Sequence, residues 1–196
     1  CSSREDSDLA GVLKHLADTG YTQVEGFGGV MGDPAGLRAM MDPLGLTMPS
    51  AHFAIDDLEA KPDEMLTLAK TLGVQSMYAP FLHPNDRPTD VAGWTAFAER
   101  LAAAGKVVTA AGFNFGWHNH DFEFVTLEDG STPMEIILKT AVDLEWEADL
   151  AWVVRGGADP FEWIDRYDGR STSVHLKDIA QEGECMDEDG WAEVGE

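Results

Sequence analysis

The segment Leu72-Gly73-Val74 ends one predicted helix and begins one predicted strand, and the same pattern recurs along the chain. Glycine just past a helix end adopts a left-handed conformation that other residues resist, so the pattern predicts a helix stop followed by a strand start. The other copies are Leu16-Ala17-Asp18-Thr19-Gly20-Tyr21, Leu44-Gly45-Leu46 and Ala111-Gly112-Phe113. The repeated unit is therefore a helix, a turn and a strand.

Apolar residues spaced three and four apart predict the helices that surround these glycines. The predicted helices cover 7–19, 34–44, 57–72, 91–110, 132–141 and 159–168. Predicted strands alternate with them at 22–27, 46–52, 74–80, 113–119, 143–149 and 172–177. Pro34, Pro62 and Pro133 stand where helices begin, because the missing N–H of proline is tolerated there. Alternation without hairpin turns predicts a parallel sheet with right-handed crossovers.

A parallel sheet of this kind is either an open nucleotide-binding sheet or a barrel. Gly26-Phe27-Gly28-Gly29 is too short and wrongly spaced for a dinucleotide cradle, which removes the best support for the open sheet. We therefore predict an α/β fold of the (β/α)8 TIM-barrel type. Six strands and a possible strand stub at residues 1–3 fall short of eight, so we expect truncation at both ends, with most of the first strand and the eighth unit missing. Residues 1–196 would then form a single incomplete domain.

The charge of the chain disfavours several kinds of partner. There are 13 Lys and Arg against 36 Asp and Glu, a formal net charge of -23, which repels nucleic acids and anionic membranes. A solubility or salt adaptation accounts for the same charge. Cys1 and Cys185 do not suggest a disulfide framework, and no segment is apolar for the length of a membrane helix. We expect a cytoplasmic protein, with a homo-oligomer possible because an incomplete barrel exposes sheet edges.

The histidines concentrate at the ends of predicted strands. Five of them lie at or just past a strand end, namely His52, His83, His118, His120 and His175, whereas His15 lies within a helix. In a (β/α) barrel the active site forms at the carboxyl ends of the strands. A hydrogen-bonded loop histidine is the alternative for any single one of them, but five on one face indicate a functional site.

The densest group of polar residues is the segment 116–124, Gly-Trp-His-Asn-His-Asp-Phe-Glu-Phe. Residues two apart in a strand share a face, so His118 and His120 point the same way, and Glu123 joins them once the chain has turned. Imidazole and carboxylate together suit zinc, manganese or magnesium better than calcium. Metal-dependent phosphoesterases also use such a histidine pair. Asp149 and the pair His175 and Lys177 occupy two further strand ends.

Taken in order, these motifs resemble the sugar phosphate isomerase/epimerase group of the xylose-isomerase-like superfamily. The matching segments are Val24–Gly28, Ser50–His52, His118–Phe124, Asp149–Val153, Gly156–Pro160 and Gly169–Arg170 with His175–Asp178. The resemblance implies a divalent metal, Mn, Mg, Zn or Co, bound by Glu, Asp, His and a second Glu. Matched by position, the first three ligands are Glu123, Asp149 and His175, and the fourth has no counterpart in the sequence.

The resemblance also implies roles for the remaining polar residues. Glu123, His118 and Lys177 are predicted to be catalytic, and the predicted substrate contacts are Glu25, His52, His120 and Trp152. The implied reaction is isomerisation or epimerisation of a sugar, keto-sugar or sugar phosphate through an enediolate. A lyase or dehydratase acting on a keto-inositol or keto-glycoside, and a non-catalytic remnant of such a barrel, are the alternatives. A DNA endonuclease is disfavoured by the charge. Arg155 and Arg170 are the candidates for a phosphate site.

Overall fold

A computed structural model describes residues 2–195, with side chains described from Asp8 onward. The described residues form two compact units. The first comprises the chain up to Pro80 together with Ala104–Phe115, and the second comprises Phe81–Ala103 and the chain from Gly116 onward. Among the described residues, no helix combines the length and the apolar character needed to span a bilayer.

The first unit begins with alternating helices and parallel strands. Its elements are α1 (Ser2–Asp18), β1 (Gln23–Gly26), α2 (Pro34–Met41), β2 (Thr47–His52), α3 (Ile55–Ala60), α4 (Pro62–Leu72) and β3 (Ser76–Ala79). Strand β2 pairs with β1 on one side and β3 on the other, both in parallel. Helix α5 (Val91–Ala110) and strand β4 (Asn114–His118) contribute residues to both units. The N–H of Asn114 donates to the carbonyl of Gln75 at 2.9 Å, so β4 begins beside β3.

The second unit continues the alternation and ends in a hairpin. Its elements are α6 (Pro133–Thr140), β5 (Glu145–Asp149), α7 (Leu150–Arg155), α8 (Pro160–Arg166), β6 (Ser171–His175), β7 (Asp178–Ile179) and β8 (Trp191–Ala192). Strand β5 pairs in parallel with β4 and β6, with His118 opposite Glu147 and Asp149 opposite His175. Strands β7 and β8 are antiparallel. The carboxyl ends of β4, β5 and β6 therefore lie at one edge.

The predicted strands and most predicted helices are confirmed, and the differences have local causes. The helix predicted over 57–72 is two helices, because Pro62 begins α4 and a residue before proline avoids the helical region. Lys61 accordingly has φ -141°. The prediction of alternation without hairpins is wrong at the end of the chain, where β7 and β8 form one. The possible strand stub at 1–3 falls partly outside the described residues, because residue 1 is not described. Ser2 and Ser3 belong to helix α1 and not to a strand.

The second unit has an aromatic core. Trp94, Trp117 and Trp146 are almost fully buried, together with Met134 and Ile137 from α6. The helices that cover this core begin at side-chain caps: Thr132 accepts the N–H of Glu135, and Asp159 accepts those of Phe161 and Glu162. Burial of these large side chains fixes β4 and β5 from behind, which holds their polar ends in place.

Gly73 ends α4 in the left-handed conformation that the sequence pattern predicts, with φ 80°. An alanine there is strained by its Cβ, so we expect Gly73→Ala to lower the free energy of unfolding by about 1 kcal/mol. Gly32→Ala is the matched control, because Gly32 is not left-handed and a Cβ there meets no atom within 4 Å. Urea denaturation of both variants measures the difference. Equal stability of the two variants would contradict the role of Gly73 as a helix stop.

Candidate functional site

Three polar side chains from adjacent strands meet at the carboxyl ends of β4, β5 and β6. Nδ1 of His118 lies 3.2 Å from Oε2 of Glu147, and Nε2 of His175 lies 3.7 Å from the same oxygen. His118, Glu147 and His175 each offer one ligand atom within 4.8 Å of the others. We call these three residues the ligand group. The parallel register, which sets His118 opposite Glu147, is what brings them together.

The ligand group fits a divalent metal. Two ligand atoms bound at about 2.1 Å to a tetrahedral ion lie about 3.4 Å apart, close to the two separations in the group. Two imidazoles and one carboxylate suit zinc and manganese-class ions. Glu147 is 0% exposed, and a buried carboxylate is costly without compensating positive charge. A cation bound by the group would lower that cost.

Glu147 is the member of the ligand group that the sequence analysis did not single out. Glu147 lies two residues before the predicted site residue Asp149 on β5. The period of two in a strand was the available signal, because it places Glu147 on the same face as Asp149. The hydroxyl of Ser173 on β6 donates to Oε1 of Glu147 at 3.1 Å, which orients the carboxylate.

Glu123, a predicted ligand and catalytic residue, is fully buried in a turn of 3-10 helix at Phe122–Phe124. Its Oε1 accepts the indole N–H of Trp117 at 2.8 Å, and its Oε2 accepts the backbone N–H of His120 at 3.0 Å. Burial raises the pKa of Glu123 to about 8, against the lowering effect of these donors and of the Arg87 charge. Both oxygens thus have partners in the protein, and the metal-binding role of Glu123 stays a prediction.

Asp149, His175 and Lys177, three further predicted site residues, lie together. Oδ2 of Asp149 lies 2.5 Å from Nζ of Lys177 and 3.8 Å from Nδ1 of His175. Oδ1 of the same carboxylate accepts the N–H of Trp152 and so caps α7. A metal-bound histidine commonly faces a carboxylate with its second ring nitrogen, which is the arrangement of His175 and Asp149. The role of Asp149 as a direct ligand stays a prediction.

Asn119 joins the ends of β4 and β5 beneath the ligand group. Its Oδ1 accepts the indole N–H of Trp146 at 2.8 Å and the backbone N–H of Asp149 at 3.0 Å. Its Nδ2 donates to the carbonyl of Asp149 at 3.0 Å. Asn119 is fully buried, so this network fixes the spacing between the two strand ends.

The predicted substrate contacts fall in both units. In the second unit the rings of His120 and Trp152 are 5.2 Å apart, and those of His120 and His118 are 5.1 Å apart. In the first unit Nε2 of His52 lies 2.9 Å from Oε1 of Glu25. The hydroxyl of Ser50 donates to the other oxygen of Glu25, so that carboxylate is held in place.

Two of the remaining basic and histidine side chains have structural partners. Nδ1 of His83 accepts the N–H of Asn85, which makes His83 a hydrogen-bonded loop histidine. The guanidinium of Arg170, a candidate for a phosphate site, instead donates to the carbonyls of Leu138, Ala141 and Leu144. That interpretation of Arg170 is corrected here, because four of its five N–H donors are used by backbone carbonyls.

Comparison with solved structures identifies the fold. The chain is similar to a sugar phosphate isomerase/epimerase from Parabacteroides distasonis, with 28% identity, a TM-score of 0.75, and coverage of 93% of this chain and 73% of that one. It is also similar to a xylose isomerase domain protein from Salmonella typhimurium, with 12% identity and a TM-score of 0.71 over 98% of this chain and 75% of that one. The chain has the xylose-isomerase-like TIM-barrel fold. In this fold the active site lies at the carboxyl ends of the strands, where His118, Asp149 and His175 end β4, β5 and β6.

Sequence comparison adds one curated relative of this xylose-isomerase-like barrel. An inosose dehydratase from Geobacillus kaustophilus is 26% identical over 191 residues, which is 86% of this chain and 61% of the relative. The chain thus spans less than two thirds of that protein. No protein-family model matches the sequence.

Proposed function

We propose that this chain is the catalytic part of a divalent-metal-dependent enzyme that isomerises or epimerises a small carbohydrate. The reaction would move a proton from the carbon beside a carbonyl, through an enediolate. The observation that carries this proposal is the ligand group, with Lys177 and Asp149 beside it at the same strand ends. The similarity to a sugar phosphate isomerase/epimerase supports it.

His118, Glu147 and His175 would hold the metal, which we propose is Mn²⁺, Mg²⁺, Zn²⁺ or Co²⁺. A bound divalent cation polarises a carbonyl and stabilises the negative charge that develops on its oxygen. The residues around the group set up the rest of the site. Glu123 holds the loop after β4 by accepting the N–H of His120, and Asp149 holds the ammonium of Lys177 beside His175.

Lys177 is the residue that we propose to act on the substrate. The Lys177 side chain is about one third exposed, whereas the Asp149 side chain that pairs with it is fully buried. It therefore presents a fixed positive charge and N–H donors to a substrate oxygen. Such a donor can stabilise charge on that oxygen or deliver a proton to it, a contribution of about 100-fold or more to the rate.

Exchange of substrate hydrogen with solvent tests this proposal. We expect the chain in D₂O with Mn²⁺ to place deuterium beside the carbonyl of a ketose such as D-fructose or of a keto-inositol, as read by NMR. Lys177→Met should lower that rate about 100-fold. Lys139→Met is the matched control, because Lys139 pairs with Glu135 on the exposed surface of α6. Absence of Mn²⁺-dependent exchange, or equal rates for the two variants, would contradict the assignment.

A dehydratase is the second candidate, favoured by the similarity to an inosose dehydratase. Loss of water from a keto-inositol also begins with removal of a proton beside the carbonyl, so the same residues serve both reactions. The product distinguishes them: an isomerase or epimerase conserves the mass of the substrate, and a dehydratase lowers it by one water. Mass spectrometry of the exchanged samples gives this result directly.

A further inference from the structure

Two tryptophans from different elements of the second unit meet beside the ligand group. Trp152 lies in α7 and Trp191 in β8, and their rings meet edge to face with centroids 4.9 Å apart. Both residues are partly exposed, so part of the surface of this pair is open to another molecule.

Ring contacts connect this pair to the ligand group. Trp152 contacts His120 at 5.2 Å between centroids, His120 contacts His118 at 5.1 Å, and His118 contacts His175 at 4.6 Å. Lys177 lies over both indoles, with Nζ 5.5 Å from the Trp152 centroid and 5.0 Å from the Trp191 centroid. A molecule that reached Lys177 would therefore lie against the two tryptophans.

Arg155 fixes Trp191 in this position. Its guanidinium carbon lies 3.3 Å from the centroid of the Trp191 ring, and its Nη2 donates to the carbonyl of Asp189 at 2.7 Å. Asp189 and Gly190 are both left-handed, with φ 56° and 74°, so the chain turns sharply just before Trp191. Arg155 belongs to α7, and it thereby ties the β7–β8 hairpin to the helix that carries Trp152.

Arg155 and Lys177 are the cations that lie over the tryptophans. The Arg155 guanidinium is engaged by Trp191 and the carbonyl of Asp189, and Lys177, which is held by Asp149, offers a single ammonium and not a paired fork. A phosphate group is bound best by charged donors in paired geometry. A neutral sugar ring instead offers an apolar C–H face, which suits an indole. The net charge of -23 further opposes an anionic ligand.

From these contacts we infer that Trp191, positioned by Arg155, is a wall of the substrate site that selects a neutral carbohydrate ring over a phosphorylated sugar. The inference rests on the proposed function, since it takes the ligand group as the reacting end of the same site. Trp191 contacts the substrate, and Arg155 is a positioning residue that acts through it.

Calorimetric titration of the Mn²⁺-loaded chain with methyl β-D-glucopyranoside and with D-glucose 6-phosphate tests the inference. We expect the glucoside to bind more tightly than the phosphate. Trp191→Ala and Arg155→Ala should each weaken glucoside binding about 10-fold, the size of a typical aromatic contact. Trp191→Phe should restore most of the loss, and Arg155→Lys part of it. Phe161→Ala, an exposed aromatic on α8, should change nothing.

Separate titration with Mn²⁺ alone distinguishes this inference from the proposed function. If Mn²⁺ binds all variants equally and the glucoside binds Trp191→Ala as tightly as the parent, the inference is wrong and the metal site stands. If Mn²⁺ fails to bind but glucoside binding depends on Trp191, the metal proposal is wrong and the role of Trp191 in substrate binding is supported. Tighter binding of D-glucose 6-phosphate, or no binding of the glucoside, would overturn the inference.

Discussion

Glu147→Gln is expected to weaken Mn²⁺ binding by at least about 100-fold while the chain stays folded. Glu147 supplies the one carboxylate of the ligand group, and its Oε2 lies within 3.7 Å of both His118 Nδ1 and His175 Nε2. Glutamine keeps the shape but removes the negative charge, and even the loss of a residue that orients a metal ligand costs about 10- to 100-fold in affinity. Glutamine is neutral and of similar shape, so it avoids the cost of burying a charge at this fully buried position, and we expect the metal-free chain to stay folded.

Glu145→Gln is the matched control for this experiment. Glu145 lies two residues earlier on the same strand, is partly exposed, and accepts a hydrogen bond from the hydroxyl of Thr172. We expect its substitution to leave the Mn²⁺ affinity within about twofold, since it lies outside the ligand group. Calorimetry or the Mn²⁺ spin-resonance signal gives both affinities. If Glu147→Gln bound Mn²⁺ as tightly as the parent chain, Glu147 would not be a metal ligand.

Arg170→Met is expected to lower the free energy of unfolding by about 3–5 kcal/mol. The Arg170 guanidinium makes four N–H donations to the carbonyls of Leu138, Ala141 and Leu144. These carbonyls lie at the end of α6 and just before β5, and Arg170 directly precedes β6. Methionine keeps most of the apolar packing but leaves the carbonyls without these donors, each at a cost of about 1–3 kcal/mol.

The control for Arg170 is Arg166→Met on the neighbouring helix. The Arg166 guanidinium lies 5.3 Å from the Trp163 ring, a contact worth about 1 kcal/mol or less. Urea denaturation of both variants measures the contribution of the Arg170 contacts to the free energy of unfolding. Arg170→Lys should recover part of that free energy, because lysine keeps the positive charge but lacks the forked N–H donors of the guanidinium. If Arg170→Met lost no more stability than Arg166→Met, the carbonyl contacts would not stabilise the fold.

The fold was predictable because its signals are local. A left-handed glycine such as Gly73 ends a helix through its own backbone freedom, and proline at a helix start acts through its own missing N–H. Helix α7 was not predicted, because its six residues follow β5 directly and Asp149 is both the last strand residue and the helix cap. The β7–β8 hairpin was missed because each strand has only two residues, which is too short to show the alternation of apolar and polar residues that predicts a strand.

The site was predictable to the level of strand ends. His118, Asp149, His175 and Lys177 come together as the period of two and the parallel sheet require. Which carboxylate joins the histidines depends on register: Glu147 pairs with His118, and sequence alone does not give that pairing. The hydrogen bonds of Glu123 depend on the turn that follows β4, and the sequence does not give the geometry of that turn. The carbonyl that Arg170 contacts at Leu144 is distant in the sequence, so that contact could not be predicted either.

Anomalous scattering from crystals of the chain grown with Mn²⁺ tests the central claim most directly. We expect one peak within bonding distance, about 2.0–2.3 Å, of side-chain atoms of His118, Glu147 and His175. A peak bounded instead by Glu123 and Asp149, with Glu147 beyond bonding distance, would contradict the ligand group and restore the ligand set that the family resemblance implies.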